Sequence, residues 1–494
     1  MSAPLGRLLN ALAEKGLLRE GFEAPLQDIE IDRVTTDSRF VSPGTLFCAA
    51  RGTVGDGHDY LPQVSAAGAV VALVEFRNPD VDIAQIAVLD GRRAAAFAAA
   101  ELYGNPSREL SVIGITGTNG KTTTAAILRH LLSRRLPAAS IGTLGVVGRE
   151  GRMIPGTEGL TTPGPAQISE VLRRLRGEGV EAVAMEASSH ALEQGRVAAV
   201  EFVAAIFTNL SRDHLDYHGS LEHYRAAKLK LIDLVRRGGV IAPNIDDPAW
   251  AEIQREGTHL VRFGALGRGE VQAENVRFTN SGLQWELRTP SCGATVRMPL
   301  FGLYNVYNAL GSAAALWGLG WSSEAIAEGL HDVPQVPGRL ERIAGAGGPA
   351  ILVDYAHTPD ALQRALLAVR PLVTGRLIVL FGAGGDRDRG KRPEMGRVAA
   401  RHADLSIVTT DNPRHEDPLS IAEEIESGMG DAPRLRILDR REAIARAIDL
   451  ATARDLVLLA GKGHETYQIW GDEHRHFDER EVVEEIFHKK GLAP

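Results

Sequence analysis

Gly114-Ile115-Thr116-Gly117-Thr118-Asn119-Gly120-Lys121-Thr122 brings together the residue types that hold a polyphosphate. Glycines let a backbone wrap closely enough for its N–H groups to face phosphate oxygens, and a helix N-terminus adds a positive dipole. A lysine placed like Lys121 reaches the outer phosphates, and a hydroxyl placed like that of Thr122 can ligate Mg²⁺. The strict pattern wants glycine at position 115, where this chain has isoleucine; its glycines stand at 114 and 117 instead. The Gly-Lys-Thr-Thr core still makes ATP the expected ligand, with Gly117, Thr118, Asn119, Gly120, Lys121, Thr122 and Thr123 around it.

A second concentration of polar residues follows. Glu186 precedes Ser188, Ser189 and His190, and Asn209 precedes Asp213, His214, Asp216 and His218. Both groups come just after apolar runs that read as strands, and residues past the carboxyl ends of neighbouring strands converge on one crevice in an α/β sheet. Glu186 and His214 are therefore candidate Mg²⁺ neighbours of the phosphate loop. His214 and His218 have i, i+4 spacing, but no glutamate follows the first as in a zinc protease, so zinc is not expected. Further on, Gly382-Ala383-Gly384-Gly385-Asp386-Arg387 resembles a dinucleotide fingerprint whose third glycine is replaced by Arg387; alone it reads more readily as a tight turn. Arg387, Arg389, Lys391 and Arg392 make a cluster suited to carboxylates or phosphates.

The elements that must carry these residues alternate strand and helix. Ser111 to Thr116 reads as a buried strand and Thr122 to Arg135 as the helix after the loop. Val180 to Glu186 and Val203 to Thr208 read as further parallel strands, and Leu229 to Ile241 as a helix and a strand. Before them, Asp28 to Val34, Thr45 to Ala50 and Ala69 to Glu75 read as strands, and Gly91 to Tyr103 as a helix stopped by Gly104-Asn105-Pro106. Val271 to Leu300 alternates openly and suggests an antiparallel insertion, Asn305 to Leu319 is an alanine-rich helix, and Asp332 to Gly338 reads as a linker. After it, Ala350 to Asp354, Leu377 to Phe381, Leu405 to Thr409, Arg434 to Leu438 and Asp455 to Ala460 read as strands of a second doubly wound sheet.

The bulk properties agree. At 494 residues the chain is too long for one core, and ~150 residues per domain gives about three. A net charge of −8 offers no basic field for nucleic acid or anionic lipid, so any phosphate must be held by a local site. Two cysteines, Cys48 and Cys292, cannot form a disulfide framework and fit reduced thiols. Charged residues interrupt the apolar stretch at residues 1–18, and no run approaches the ~20 apolar residues of a membrane span. A cytoplasmic, multidomain enzyme is expected.

In order and placement, several runs resemble the Mur ligase family, ATP-dependent amide-forming enzymes of cell-wall precursor synthesis. They are Gly117 to Thr123, Met185 to His190, Asn209 to Gly219, Gly302 to Asn305, Val336 to Glu341 and Asp354 to Pro359. Within the family, Thr36 to Arg39, Asp411 to Arg414 and Gly461 to Glu465 are similar to the members that add meso-2,6-diaminopimelate to UDP-N-acetylmuramoyl-L-alanyl-D-glutamate. The resemblance implies three α/β domains: residues 1–107 for the UDP-sugar, 108–338 a P-loop ATPase-type parallel sheet, and 339–494 a Rossmann-like domain for the amino acid. It implies Mg²⁺ held by Thr122 and Glu186, and a second by His214 and Lys228, the latter as a carbamate (N6-carboxylysine). By sequence alone Lys228 is an ordinary helix lysine. It also implies ATP contacts from Asn305, Arg339 and Asp354, and UDP-sugar-dipeptide contacts from Thr36, Ser38, Thr161, Thr162, Ser188, Gln194 and Arg196. Thr53 and Val54 stand where some members carry His-Gln. Diaminopimelate would fall to Arg387, Asp411, Asn412, Pro413, Arg414, Gly461 and Glu465. Asp-Asn-Pro is ordinary turn chemistry too, and without the resemblance a surface turn would be the better reading. A monomer is expected, needing neither nucleic acid nor membrane. A lysine-adding member and a folylpolyglutamate synthase-like ligase are the alternatives.

Overall fold

Strands covered on both faces send alternate side chains into two separate cores, with neither set facing water. The six-stranded sheet in the last third of the chain does this. Ile351, Val353, Ile378, Leu380, Val457 and Leu459 pack against the helices Arg440–Leu450 and Glu479–Lys489. Their neighbours Leu352, Leu377, Val379, Phe381, Leu456 and Leu458 pack against Pro359–Val369, Lys391–His402 and Pro418–Glu426. The strand order is Glu341–Ala344, Ala350–Asp354, Leu456–Ala460, Leu377–Phe381, Leu405–Val408, Arg434–Arg436. Every pair is parallel except the first. This is the doubly wound sheet the sequence predicts.

The computed structural model describes residues 2–19, 26–52, 55–157, 159–279, 282–344 and 348–491. They form two compact units: 1–274 with 287–294 and 307–330, and 275–286 with 295–306 and 331–494. The first unit holds an eight-stranded sheet with Ser111–Thr116 between Ala182–Glu186 and Phe202–Phe207. All three are parallel, so a loop leaving the middle strand opens beside the carboxyl ends of both neighbours. Gly114 lies inside that strand; a Cβ there would come within 2.9 Å of the Phe202 ring, so its smallness serves packing. Val271–Thr279, Gly282–Arg288 and Gly293–Met298 are strands in the segment read as an insertion.

Two early readings change. Asp28 to Val34 is not one strand. Glu30–Ile31 pairs antiparallel with Ala3–Pro4, while Arg33–Thr35 edges a parallel sheet with Thr45–Cys48, Val71–Val74 and Ala84–Ala87. The break falls at Asp32, whose N–H donates to the Gly44 carbonyl at 2.9 Å. The helix Leu5–Glu14 was not read from the sequence; it buries Leu5, Leu8, Leu9 and Leu12 in the core of that sheet. Both cysteines are free thiols, and Cys48 is part of this core. Among the described residues no helix is long and apolar enough to cross a membrane.

In the second unit one ion pair ties helices to strand ends. Arg440 and Glu479, both fully buried, meet at 2.7 Å. Arg440 also donates to the carbonyls of Ala460 at 2.9 Å and Thr410 at 3.4 Å, the residues just before Gly461 and Asp411. Removing one partner leaves a buried charge uncompensated, so Arg440→Ala is expected to lower stability by about 3–5 kcal/mol. Urea denaturation checks this; an unchanged midpoint would show the pair to be dispensable.

Candidate active site

The loop between Thr116 and the helix Lys121–Ser133 is built on two glycines with positive φ, 146° at Gly117 and 87° at Gly120. A Cβ on Gly117 would sit 1.9 Å from Thr208 Oγ1, and one on Gly120 2.3 Å from Asn308 Oδ1. Asn209 braces the loop from the neighbouring strand end: its Oδ1 accepts from Asn119 N–H at 3.0 Å and its Nδ2 donates to the Asn119 carbonyl at 3.0 Å. Lys121 Nζ lies over the loop, 3.0 Å from the Gly117 carbonyl and 2.8 Å from that of Thr118. Backbone N–H groups at a helix start, beside a lysine, form an anion cradle.

Glu186 closes one side. It is buried, and its carboxylate accepts from Thr143 N–H at 2.8 Å, Thr143 Oγ1 at 3.2 Å and Thr122 Oγ1 at 3.3 Å. Hydroxyl and carboxylate oxygens are the donors a hard divalent cation takes, so Thr122 and Glu186 fit Mg²⁺. Around this point the structure gathers five of the residues expected to meet the UDP-linked substrate. Thr162 Oγ1 donates to the Glu186 carbonyl at 2.9 Å and lies 3.3 Å from Ser188 Oγ, and Thr161 Oγ1 is 3.2 Å from Thr143 Oγ1. Arg196 donates to the Thr162 carbonyl at 3.1 Å and to Gln194 Oε1 at 2.6 Å. Gln194 in turn borders a cleft of about 310 Å³ with Arg51, Glu75, Asp90 and Arg92. Thr36 and Ser38 lie after the strand Arg33–Thr35 and make no hydrogen bond to this set among the described residues. Thr53 and Val54 lie outside the described residues.

On the other side stand His214 and Lys228. Lys228 is 1% exposed, and its Nζ donates to the Gly117 carbonyl at 2.7 Å, the same oxygen that Lys121 approaches. Burial, and then the Lys121 charge, push the Lys228 amine well below its ordinary value. An ammonium there does not fit a metal; a carbamate would supply the oxygen donor. His214 has φ of 51°, and its ring packs edge-on to His190 at 4.8 Å. Burial, with His214, His218 and Arg196 nearby, lowers His190 to about 4, so it stays neutral at physiological pH. His218 is paired with Ser189 Oγ at 3.0 Å.

The second unit holds the remaining candidates. Asp354 ends a strand; its carboxylate accepts from Leu340 N–H at 2.8 Å and Ala356 N–H at 2.9 Å. Burial raises it to about 6 against the opposing pull of Arg339 and those two N–H groups. Asn305 donates to the Phe301 carbonyl at 2.7 Å. At the ends of the next strands, three loops interlock. A Cβ on Gly385 would lie 1.9 Å from the Pro413 carbonyl, one on Gly382 2.3 Å from that of Thr409, and one on Gly461 2.8 Å from Asp411 Oδ2. The glycine run is therefore a close backbone contact with the Asp411–Arg414 turn, and no helix opens until Lys391. Arg414 has φ of 52° and donates to the Gly385 carbonyl at 2.8 Å. A Cβ on Gly384 would fall between Arg414 and Arg387, at 2.9 and 3.7 Å. Asn412 Nδ2 donates to Glu465 at 2.9 Å.

The basic cluster is corrected by this geometry. Arg392 is fully buried and spends its guanidinium on Glu416 and Glu424, and Arg389 pairs with Glu424. Lys391 donates to the His357 carbonyl at 2.9 Å. Arg392 is structural, and Arg389 is engaged at the surface by the same Glu424, because acidic residues distant in sequence reach them.

Three family profiles match the chain in succession: Mur ligase family, catalytic domain, over residues 30–103; Mur ligase middle domain, over 115–316; and Mur ligase, glutamate ligase domain, over 338–463. The UDP-N-acetylmuramoyl-L-alanyl-D-glutamate–2,6-diaminopimelate ligase of Geobacillus thermodenitrificans is 42% identical over 465 residues, covering 92% of this chain and 94% of that protein. The chain belongs to the Mur ligase family. The ligase of the same name from Gloeobacter violaceus is 41% identical, with 99% of each chain covered. A solved structure of a UDP-N-acetylmuramoyl-L-alanyl-D-glutamate–2,6-diaminopimelate ligase superposes with a TM-score of 0.71 at 29% identity, covering all of both chains.

In this Mur ligase two residues of the candidate site were missed by sequence reading. Thr143 follows the strand Ala138–Gly142, whose Ala-Ala-Ser-Ile-Gly composition gives little strand signal. Lys462 stands in the Gly461 to Glu465 run, where sequence reading gives a role only to Gly461 and Glu465, yet it is fully buried.

Proposed function

We propose that this Mur ligase joins meso-2,6-diaminopimelate to UDP-N-acetylmuramoyl-L-alanyl-D-glutamate in peptidoglycan precursor synthesis, with ATP cleaved to ADP and phosphate. The observation that carries the reading is the cradle of the first unit, where Lys121, Thr122 and Glu186 stand beside the Thr161–Thr162, Ser188 and Gln194–Arg196 group. A triphosphate and a carboxylate-bearing substrate would meet there.

The γ-carboxylate of D-glutamate attacks the terminal phosphorus, an O–P bond forms, and the bond to the ADP oxygen breaks. The amine of the amino acid then adds to the acyl carbon, loses a proton, and phosphate leaves the tetrahedral intermediate. Two anions must approach each other, so the site's task is charge screening and alignment. Lys121 neutralises the outer phosphates and the loop N–H groups orient them. Thr122 and Glu186 would hold one Mg²⁺, and His214 with carbamylated Lys228 a second; the ions supply positive charge at the phosphoryl oxygens. We assign further ATP contacts to Asn305, Arg339 and Asp354, and UDP-sugar contacts to Thr36 and Ser38. We divide the chain into a UDP-sugar domain (1–107), an ATP domain (108–338) and an amino-acid domain (339–494), acting as a cytoplasmic monomer without nucleic acid or membrane.

Arg414 decides the amino acid. Diaminopimelate differs from lysine by a carboxylate and the stereocentre bearing it, and a guanidinium fork binds a carboxylate bidentately. Losing hydrogen bonds to a charged group costs about 1.5–3 kcal/mol, so Arg414→Ala should lower kcat/KM for meso-diaminopimelate about 100-fold. The KM for ATP should barely move. ADP release with the UDP-dipeptide and a panel of diamino acids tests the whole reading. Equal use of L-lysine by the wild-type enzyme would remove the specificity and leave the ligase.

A further inference from the structure

Among the described residues, Lys462 is the one in the second unit's strand-end loops whose side chain is a fully buried ammonium. It donates to Asn412 Oδ1 at 3.1 Å, to Glu465 Oε2 at 3.1 Å and, more distantly, to Asp411 Oδ1 at 3.5 Å. Its Nζ also lies 5.8 Å from the centre of the Tyr467 ring. Asn412 Oδ1 accepts a second bond from Ile469 N–H at 3.1 Å. With its oxygen facing two donors, the Asn412 amide has one orientation, and its Nδ2 is committed to Glu465 Oε2 at 2.9 Å. Two donors thus converge on Oε2 of Glu465, while Oε1 takes no donor among the described residues.

The charges sum in the same sense. Asp411 and Glu465 contribute two negative charges and Lys462 one positive, which leaves a single surplus negative charge. Burial pushes the Asp411 carboxyl up, yet Lys462, Arg440 and His357 hold it below the usual carboxylate value. Tyr467 feels Glu465, Arg414 and Asp411 together, so guanidinium and carboxylates share one neighbourhood. One cation and one surplus anion match a zwitterionic end group, an ammonium beside a carboxylate.

We propose that Lys462 is a positioning residue for amino-acid recognition: it holds Asn412 and Glu465 in the one arrangement that leaves Glu465 Oε1 for the substrate's distal ammonium. This deepens the diaminopimelate reading and rests on it. Without Lys462 the buried Asp411 carboxylate and the partly exposed Glu465 carboxylate repel each other, the Asn412 amide is free to turn, and Glu465 loses its fixed rotamer.

The test is steady-state kinetics of Lys462→Met and of the charge-balanced double variant Asp411→Asn/Lys462→Met, which keeps the single surplus negative charge if the first variant does not fold. The loss of two charge-assisted hydrogen bonds predicts that Lys462→Met raises the KM for meso-diaminopimelate about 10-fold or more. Its kcat and the KM values for ATP and the UDP-dipeptide should stay within about twofold, a split that general loosening of the fold would not give. The double variant should recover part of the loss and remain about threefold or more above wild type, because Asn412 and Glu465 still lack their donor. A folded variant with wild-type KM for meso-diaminopimelate, or one whose three KM values rise together, overturns the proposal. Wild-type enzyme that ignores meso-diaminopimelate would instead fail the underlying substrate reading, before any variant is made.

Discussion

Lys121→Ala is expected to lower kcat by about three orders of magnitude while the protein stays folded. Preorganised positive charge at a site of developing negative charge is among the largest single contributions to catalysis, and removing one donor alone can cost about 10²–10³-fold. Lys121 does more than one donor's work, since it faces a triphosphate approached by a second anion. Its ammonium meets the carbonyls of Gly117 and Thr118 in the loop, past the end of the strand, so truncation leaves the sheet intact. ADP release measures the loss, and thermal unfolding controls for the fold. Near-normal ligation by Lys121→Ala would sink the phosphate-loop assignment.

Lys228→Ala should be almost as damaging, with kcat down about 10³-fold, and it should respond to rescue by formate, acetate or propionate. Two lysine ammoniums aimed at one carbonyl oxygen is an unfavourable arrangement for as long as both are charged. Burial and the Lys121 charge favour the neutral Lys228 amine, and a neutral amine can add CO₂: an N–C bond forms, a proton leaves the nitrogen, and a cation becomes an anion. Repulsion between the two side chains turns into attraction. A small carboxylate diffusing into the space vacated in the alanine variant restores the missing oxygens. Isotope-labelled CO₂ appearing on Lys228 in the purified wild-type enzyme is the direct check, and full activity of unmodified Lys228 would refute the carbamate.

What could be read from the chain and what could not divide along the range of the interactions. The phosphate loop is local: glycine, lysine and threonine lie within a few residues, and their spacing carries the chemistry. Glu186 and Asn209 were legible because each follows a strongly apolar strand. The structural roles of Arg392 and Lys462 were not: in sequence Arg392 groups with cations for a ligand and Lys462 has no role, because only folding brings Glu416, Glu424, Asp411 and Glu465 to them. The same limit explains the strand at Asp28 to Val34. The alternation of Ile29 and Ile31 slips at Asp32-Arg33 before Val34, but only the pairing, with the Gly44 carbonyl reached through tertiary structure, shows that the two halves join different sheets.

The close approach of Gly382, Gly385 and Gly461 to the Asp411–Arg414 turn bears on how such an enzyme can diversify. Three loops that leave no room for a methyl group between them behave as one solid piece. A side chain added at any of these glycines meets an atom of the neighbouring loop, so none of the three can be rebuilt without adjusting the others. A transplanted amino-acid preference is therefore expected to need residues 382–387, 409–414 and 461–465 exchanged together as a cassette.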